Sequence, residues 1–255
     1  MLGESKHFDW GGGMDAIVGK RESVRDRVRR RVLTTLLGLI DNDAAIRRAA
    51  TLDPDQATAN QGNGPYYVPG SPLRRDVREG RDGVPLLLRI RTVDVGTLAP
   101  VAGAMVEIWH CDADGIYSGY QRYGADKFPA LVSLTLRRFR PTDSAMFLRG
   151  RQITDDSGYV EFQTIVPGWY TPRTLHIHVR VSLGGKALLG TELYFSDDFA
   201  AHIQSLPPYA GRGRGPYRNT TDIEIRMAKG SPGSWPAVRP AGDGHQADVT
   251  LQILS

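Results

Sequence analysis

Cysteine is almost missing from this chain of 255 residues: Cys111 stands alone. A single thiol excludes an intramolecular disulfide framework and the multi-cysteine ligand sets of zinc and iron–sulfur sites. No apolar run approaches the ~20 residues that a membrane-spanning helix needs. Neither charge sign dominates, since 32 basic and 28 acidic residues leave a formal net charge of +4. That is far from the dense cationic stripe of a nucleic-acid binder, so no nucleic-acid partner is expected. Intrinsic disorder is excluded as well, because 40% hydrophobic and 24% charged residues suffice for a sizeable core. What remains for metal chemistry is six histidines, ten tyrosines and the carboxylates.

Residues 1–20, with Gly11-Gly12-Gly13, read as a flexible arm. From Glu22 to Ile40 the apolar residues Val24, Val28, Val32, Leu36 and Ile40 recur every four positions, which keeps them near one face of a helix. A second short helix is expected over Asp43–Leu52, capped by Asp43 and followed by Pro54. The pattern Arg29-Arg30-Arg31 before Val32–Ile40 imitates a twin-arginine export signal. It lies far from the usual position, however, and meets Asp41-Asn42-Asp43 instead of small residues. A cytoplasmic protein is therefore expected, with export as the alternative. The Arg27–Arg31 cluster reads as a solvated helix face.

Asn60 to Pro72 is a loop rich in Gly, Pro and Asn. Beyond it the texture changes to short strands: Pro85–Val95, Ala104–Cys111, Arg149–Thr154, Tyr159–Ile165, Thr174–Leu183, Leu188–Phe195, Thr221–Met227 and Ala247–Leu254. Asp155-Asp156-Ser157-Gly158 has the composition of a hairpin turn. Gly230–Gly244 reads as a loop wrapping the sheet. These features specify an all-β fold, an antiparallel β-sandwich with a helical N-terminal segment. The division is residues 1–59 as arm and helical segment, and residues 60–255 as the β-sandwich domain.

The sharpest local signal is Leu175-His176-Ile177-His178-Val179-Arg180-Val181. In a strand His176 and His178 share one face, roughly 6.5–7 Å apart, while Ile177, Val179 and Val181 face a core. Such a pair suits one metal ion, or two histidines hydrogen-bonded at a surface. Pro167-Gly168-Trp169-Tyr170 and Pro172-Arg173 lie just upstream. Further upstream, Ile108 to Tyr117 runs from a strand into an acidic loop containing Gly115.

Together these segments resemble the intradiol ring-cleavage dioxygenases, the non-haem ferric enzymes that open catechols between their two hydroxyls. The resemblance includes Gly64-Pro65-Tyr66-Tyr67-Val68-Pro69-Gly70, Pro100 to Tyr117, Arg149-Gly150-Arg151-Gln152-Ile153-Thr154-Asp155, Thr164 to Val181, Leu193-Tyr194-Phe195 and Pro207 to Asp222. It covers residues 60–226 in order.

What the resemblance implies is specific. The iron ligands fall on Tyr117, Tyr170, His176 and His178, with Tyr170 the axial ligand that leaves when substrate binds. Arg173 matches the family's arginine three residues before the first histidine, and implies a cation stabilising charge on the substrate ring. The cofactor would be Fe(3+), and the partners a catecholic substrate and O2. Related N-terminal helices commonly build a dimer interface, so residues 1–59 imply a homodimer. The short connection between Tyr170 and His176 places the chain with the short-loop single-chain branch. The chemistry agrees independently. A phenol titrating near pH 10 ionises at neutral pH only beside a Lewis acid, and hard phenolate oxygens favour ferric over ferrous iron.

One position departs from the pattern: Glu192 stands where the family commonly has glutamine. A carboxylate there is unfavourable unless protonated, paired with Arg173, or turned away. Pro65 and Tyr67 are candidate pocket walls, Tyr67 being equally compatible with ordinary packing. His110 reads as a buried, hydrogen-bonded histidine, and His7, His202 and His245 as loop or terminal residues. Gly211-Arg212-Gly213-Arg214-Gly215 lacks the strand–helix context of a phosphate loop. The expected activity is oxygen-dependent cleavage of catechol, with hydroxyquinol, protocatechuate or a larger catechol as alternative substrates. The rival from another class is a metal-free β-sandwich binding module.

Overall fold

Alternation along Pro85–Asp94 (β1) buries Leu86, Leu88 and Ile90 and leaves Leu87, Arg89 and Arg91 half-exposed, the period-2 signature of a strand with one face on a core. The computed structural model describes residues 56–123, 140–212, 215, 217–227 and 234–254, all within the unit Ala45–Ser255. The expected helices over 22–40 and 43–52, the Arg27–Arg31 cluster and His7 lie outside the described residues, as do residues 213 and 214 of the glycine–arginine loop.

The remaining strands are Met105–Trp109 (β2), Arg149–Ile153 (β3), Tyr159–Ile165 (β4), His176–Leu183 (β5), Lys186–Tyr194 (β6), Ala237–Ala241 (β7) and Gly244–Ile253 (β8). They form two four-stranded sheets, β4-β1-β8-β7 and β3-β2-β5-β6. Every neighbouring pair is antiparallel except β1 and β8, which run parallel with Leu86 opposite His245. The antiparallel expectation is corrected for that pair. No hairpin links β1 to β8, so nothing local fixes their relative direction.

Three further expectations change. The Asp155–Gly158 turn forms, with Asp155 Oδ1 accepting from the Ser157 and Tyr159 amides at 2.9 and 2.8 Å. It joins β3 and β4, which belong to different sheets, so it is a corner between sheets and not a hairpin. The expected strand Thr221–Met227 is instead the short helix Ile223–Met227 (α2), following the helix Asp197–Gln204 (α1) in the chain. Asp222 Oδ1 accepts from the Glu224 and Ile225 amides at the start of α2, and this cap overrides the strand-like alternation of threonine and isoleucine. The presumed wrap over 230–244 contains β7, an edge strand, the position where Pro240 is tolerated in a sheet. His202 lies on α1 and His245 on β8, not in loops, their rings 5.9 Å apart.

The core between the sheets contains Val106, Ile108, Ile177, Val179 and Val181 from one sheet and Leu88, Ile90, Phe162, Ala247 and Leu251 from the other. Each large aliphatic or aromatic side chain buried there contributes about 1.5–3 kcal/mol. That accounts for one face of β5. Its opposite face, carrying His176 and His178, is buried too. A second aromatic cluster covers it: Tyr66, Tyr67, Trp109, Cys111, Tyr117, Tyr120 and Tyr170. Among the described residues, no helix is long and apolar enough to cross a membrane.

Candidate metal centre

His176 and His178 project from the start of β5 with ring centroids 4.9 Å apart and nearly perpendicular planes. The His176 Nδ1 lies 2.8 Å from the Thr174 carbonyl oxygen. A carbonyl can only accept, so Nδ1 carries the proton and Nε2 presents a lone pair. Two phenols converge on that lone pair, Tyr117 Oη at 3.1 Å and Tyr170 Oη at 3.3 Å. His178 is held differently. Trp109 stacks on its ring at 5.0 Å and 2°, and Gly64 approaches so closely that a Cβ there would lie 2.8 Å from Cε1.

The two tyrosines arrive on loops tied to each other. Asp112 Oδ1 accepts from the Asp114 and Ile116 amides, forming the turn that delivers Tyr117. The Gly168 amide donates to the Asp112 carbonyl at 3.0 Å, which docks the Tyr170 loop beside it. Tyr66 stacks on Tyr117 at 4.3 Å and 12°, and meets Tyr170 edge-on at 5.8 Å.

Burial sets the protonation states. Desolvation pushes both the Tyr117 and Tyr170 hydroxyls well above the usual phenol value. It pulls His176 down to about 3 and His178 down to about 4. The imidazoles are therefore neutral donors at ordinary pH, and the phenols keep their protons unless a Lewis acid removes them.

Behind this group lies a buried ionic network. Arg173 donates through Nη1 and Nη2 to Glu192, and through Nε to both Asp222 oxygens at 3.1 Å. Tyr194 also donates to Glu192. Burial disfavours both charges, but Glu192 and Asp222 together hold Arg173 protonated, and Arg173 holds the Glu192 carboxyl well below its ordinary value. Glu192 thus faces the histidines as a paired carboxylate, its Oε1 3.3 Å from His178 Nδ1. Asp222 also accepts from the Thr174 amide at 2.8 Å, steadying the residue whose carbonyl orients His176.

Tyr67 belongs to the same covering cluster. Its hydroxyl donates to Glu107 Oε2 at 3.1 Å and accepts from Arg180 at 2.6 Å. Pro65 is half-buried between Gly64 and Tyr66. His110 is fully buried, with Nε2 2.7 Å from Thr164 Oγ1 and Nδ1 2.7 Å from the Cys111 carbonyl. Burial raises the Cys111 thiol well above its ordinary range, which keeps it unreactive. Sequence reasoning did not single out Tyr66, Trp109, Gln61, Tyr194 or Asp222. Gln61 donates to Tyr194 Oη and accepts from the Glu192 amide, both at 3.1 Å.

The donor set fits a metal ion. Among the described residues, neither ring nitrogen of the fully buried His178 has a hydrogen-bond partner, although Glu192 Oε1 stands 3.3 Å from Nδ1. Such an orphan is costly in a core and is satisfied by a ligated cation. The donor atoms of His176, His178 and Glu192 lie within 4.8 Å of one another. Glu192 is already engaged by Arg173 and Tyr194, whereas Tyr117 Oη and Tyr170 Oη both point at His176 Nε2.

Comparison with known proteins agrees. A family described as "Dioxygenase" matches residues 62–206. The chlorocatechol 1,2-dioxygenase of Pseudomonas putida is 28% identical over 193 residues, 66% of each chain. The catechol 1,2-dioxygenase of Pseudomonas sp. (strain EST1001) is 30% identical over 155 residues, 54% of this chain and 48% of that one. The chain thus matches about two thirds or less of the length of these relatives. Among solved structures, an intradiol ring-cleavage dioxygenase from Tetranychus urticae has a TM-score of 0.70 at 31% identity, covering 78% of this chain and 94% of that one. The chain belongs to the intradiol ring-cleavage dioxygenase family.

Proposed function

We propose that the chain is a non-haem iron dioxygenase that opens a catechol between its two hydroxyls, adding both atoms of O2 to give a cis,cis-muconate-type diacid. The observation that carries this reading is the convergence of Tyr117 Oη and Tyr170 Oη on His176 Nε2, beside the unpartnered His178. Tyr117, Tyr170, His176 and His178 would hold the iron. Two hard oxygens and two imidazoles, without thiolate, favour the ferric state. Iron there supplies the Lewis acidity that ionises the phenols and draws electron density from a bound catechol.

The chain's own residues do the rest. Tyr170 would be one of the residues holding the iron, and its Oη, which burial favours in the protonated form, would be the group placed to take up a proton from one catechol hydroxyl. The Thr174 carbonyl keeps the His176 ring turned toward the centre. The buried rings of Trp109 and Tyr66 close the face of the site, and would shield the reacting ring from water. Arg173, held protonated between Glu192 and Asp222, would offer its cation to negative charge developing on the ring. Pro65 and Tyr67 would flank the substrate.

Catechol itself is the leading substrate, with hydroxyquinol, protocatechuate and larger catechols as alternatives. Oxygen uptake over a panel of these compounds, with identification of each product, tests the assignment. For residues 1–59 we retain a role in homodimer formation. Removing residues 1–55 should give monomers or cause aggregation, and a truncated protein with an unchanged oligomeric state contradicts it.

A further inference from the structure

Arg149 is a fully buried cation that the scheme above does not use. It stands opposite Trp109 in the register of β3 and β2. Its Nε donates to Ser118 Oγ at 2.7 Å and its Nη2 to the Ser118 carbonyl at 2.8 Å. Among the described residues, Nη1 has no hydrogen-bond partner. The guanidinium carbon lies 6.0 Å from the centre of the Tyr117 ring and 5.9 Å from that of Tyr120. Glu107 and Asp143 act on it only through space. Glu107 accepts from Tyr67, and Asp143 accepts from the Gly119 amide.

A buried guanidinium with no ion pair among the described residues is costly, and arginine cannot escape the cost by losing its proton. Two hydrogen bonds to one serine do not balance a full charge. The counter-charge that fits is one that forms beside it when the centre is loaded, on the residue next to Ser118. We infer that Arg149 is a positioning residue for the Tyr117 ligand: it supplies the fixed positive charge facing the Tyr117 phenolate, and its grip on Ser118 sets where that phenolate stands. The inference rests on the ferric, phenolate-bound reading proposed above and extends it to a residue outside the ligand set. Electrons on a phenolate beside a cation are held more tightly. Losing that charge therefore lowers the energy of the transfer from tyrosinate to ferric iron.

The test is the visible absorption band of the full chain loaded with ferric iron, in the wild type and in Arg149→Met, Arg149→Lys and Ser118→Asp. Arg149→Met should move the band to longer wavelength by on the order of tens of nanometres, the scale set by a unit charge at this distance. Arg149→Lys, which keeps the charge, should restore most of the wild-type position. Ser118→Asp, which gives the guanidinium a competing carboxylate, should move the band in the same direction as Arg149→Met, and it decides the matter if Arg149→Met does not fold. Bands at the wild-type position in Arg149→Met and Ser118→Asp overturn this inference alone. A wild-type protein that binds ferric iron without any such band overturns the ferric reading and this inference together.

Discussion

Tyr117 Oη lies 3.1 Å from Nε2 of His176, although 59 residues separate them in the chain. The contact places a phenol, delivered by the Asp112–Ile116 turn, against an imidazole whose tautomer the Thr174 carbonyl selects. Replacing Tyr117 with Phe keeps the ring stacked on Tyr66 and deletes only the donor oxygen. We expect Tyr117→Phe to fold with near-wild-type stability and to lose at least about 10–100-fold in ferric affinity, most visible colour and most activity. Retained colour would show that Tyr117 is structural.

Gly64 tests the second histidine. Its φ is +64°, and a Cβ would lie 2.8 Å from His178 Cε1. Gly64→Ala therefore strains its own backbone and pushes the ring off the stack with Trp109. The expected result is a folded protein with ferric affinity reduced about tenfold or more, measured by iron titration. Unchanged affinity would mean that the His178 position is not needed for binding.

Glu192 and Asp222 both pair with Arg173, but their burdens differ. Asp222 also satisfies the amides of Thr174, Glu224 and Ile225. Glu192→Gln leaves Arg173 its second carboxylate and should cost about 1–3 kcal/mol. Asp222→Ala likewise leaves Arg173 one carboxylate, Glu192, but it also takes the acceptor from the Thr174, Glu224 and Ile225 amides, and should cost about 3–5 kcal/mol. Thermal melts should rank the variants in that order, and the reverse ranking would contradict the network as described.

The metal-free protein should be sensitive to acid. Burial lowers His110 to about 4, His176 to about 3 and His178 to about 4. Between the ordinary value near 6.5 and these native values, the unfolded chain binds protons that the native state refuses. Stability is then present above 6.5 and is lost as pH falls toward 4, by about 1.4 kcal/mol per pH unit for each histidine. His245, also lowered by burial, acts with them, and Asp112 and Glu224, held up chiefly by burial, act in the opposite direction but are outnumbered. Melting temperatures measured from pH 7 to pH 4 should fall steadily, and a flat profile would rule this out.

How far the sequence reveals the molecule depends on the range of each interaction. The histidine pair is legible because a strand's period of two is local, and seven of the eight expected strands form with shifts of a few residues. Tyr117 and Tyr170 are found through a family resemblance, because nothing in their spacing to His176 predicts the convergence. The stacking of Trp109 on His178 and of Tyr66 on Tyr117 is not legible, since an aromatic residue announces burial but not the ring it will stack on. Asp222 is missed for the reason α2 is misread: the capping aspartate looks like one more polar position in an alternating pattern. The parallel pairing of β1 with β8 lies beyond local patterning altogether.

The central claim is that Tyr117, Tyr170, His176 and His178 hold an iron that directs cleavage between the two hydroxyls of a catechol. Its most direct test is mass analysis of the product formed from catechol by the iron-loaded protein under isotopically labelled dioxygen. The account requires a cis,cis-muconate-type diacid carrying both labelled oxygen atoms. No ring-opened product from any catechol in the panel, or a semialdehyde from cleavage outside the hydroxyl pair, would contradict it.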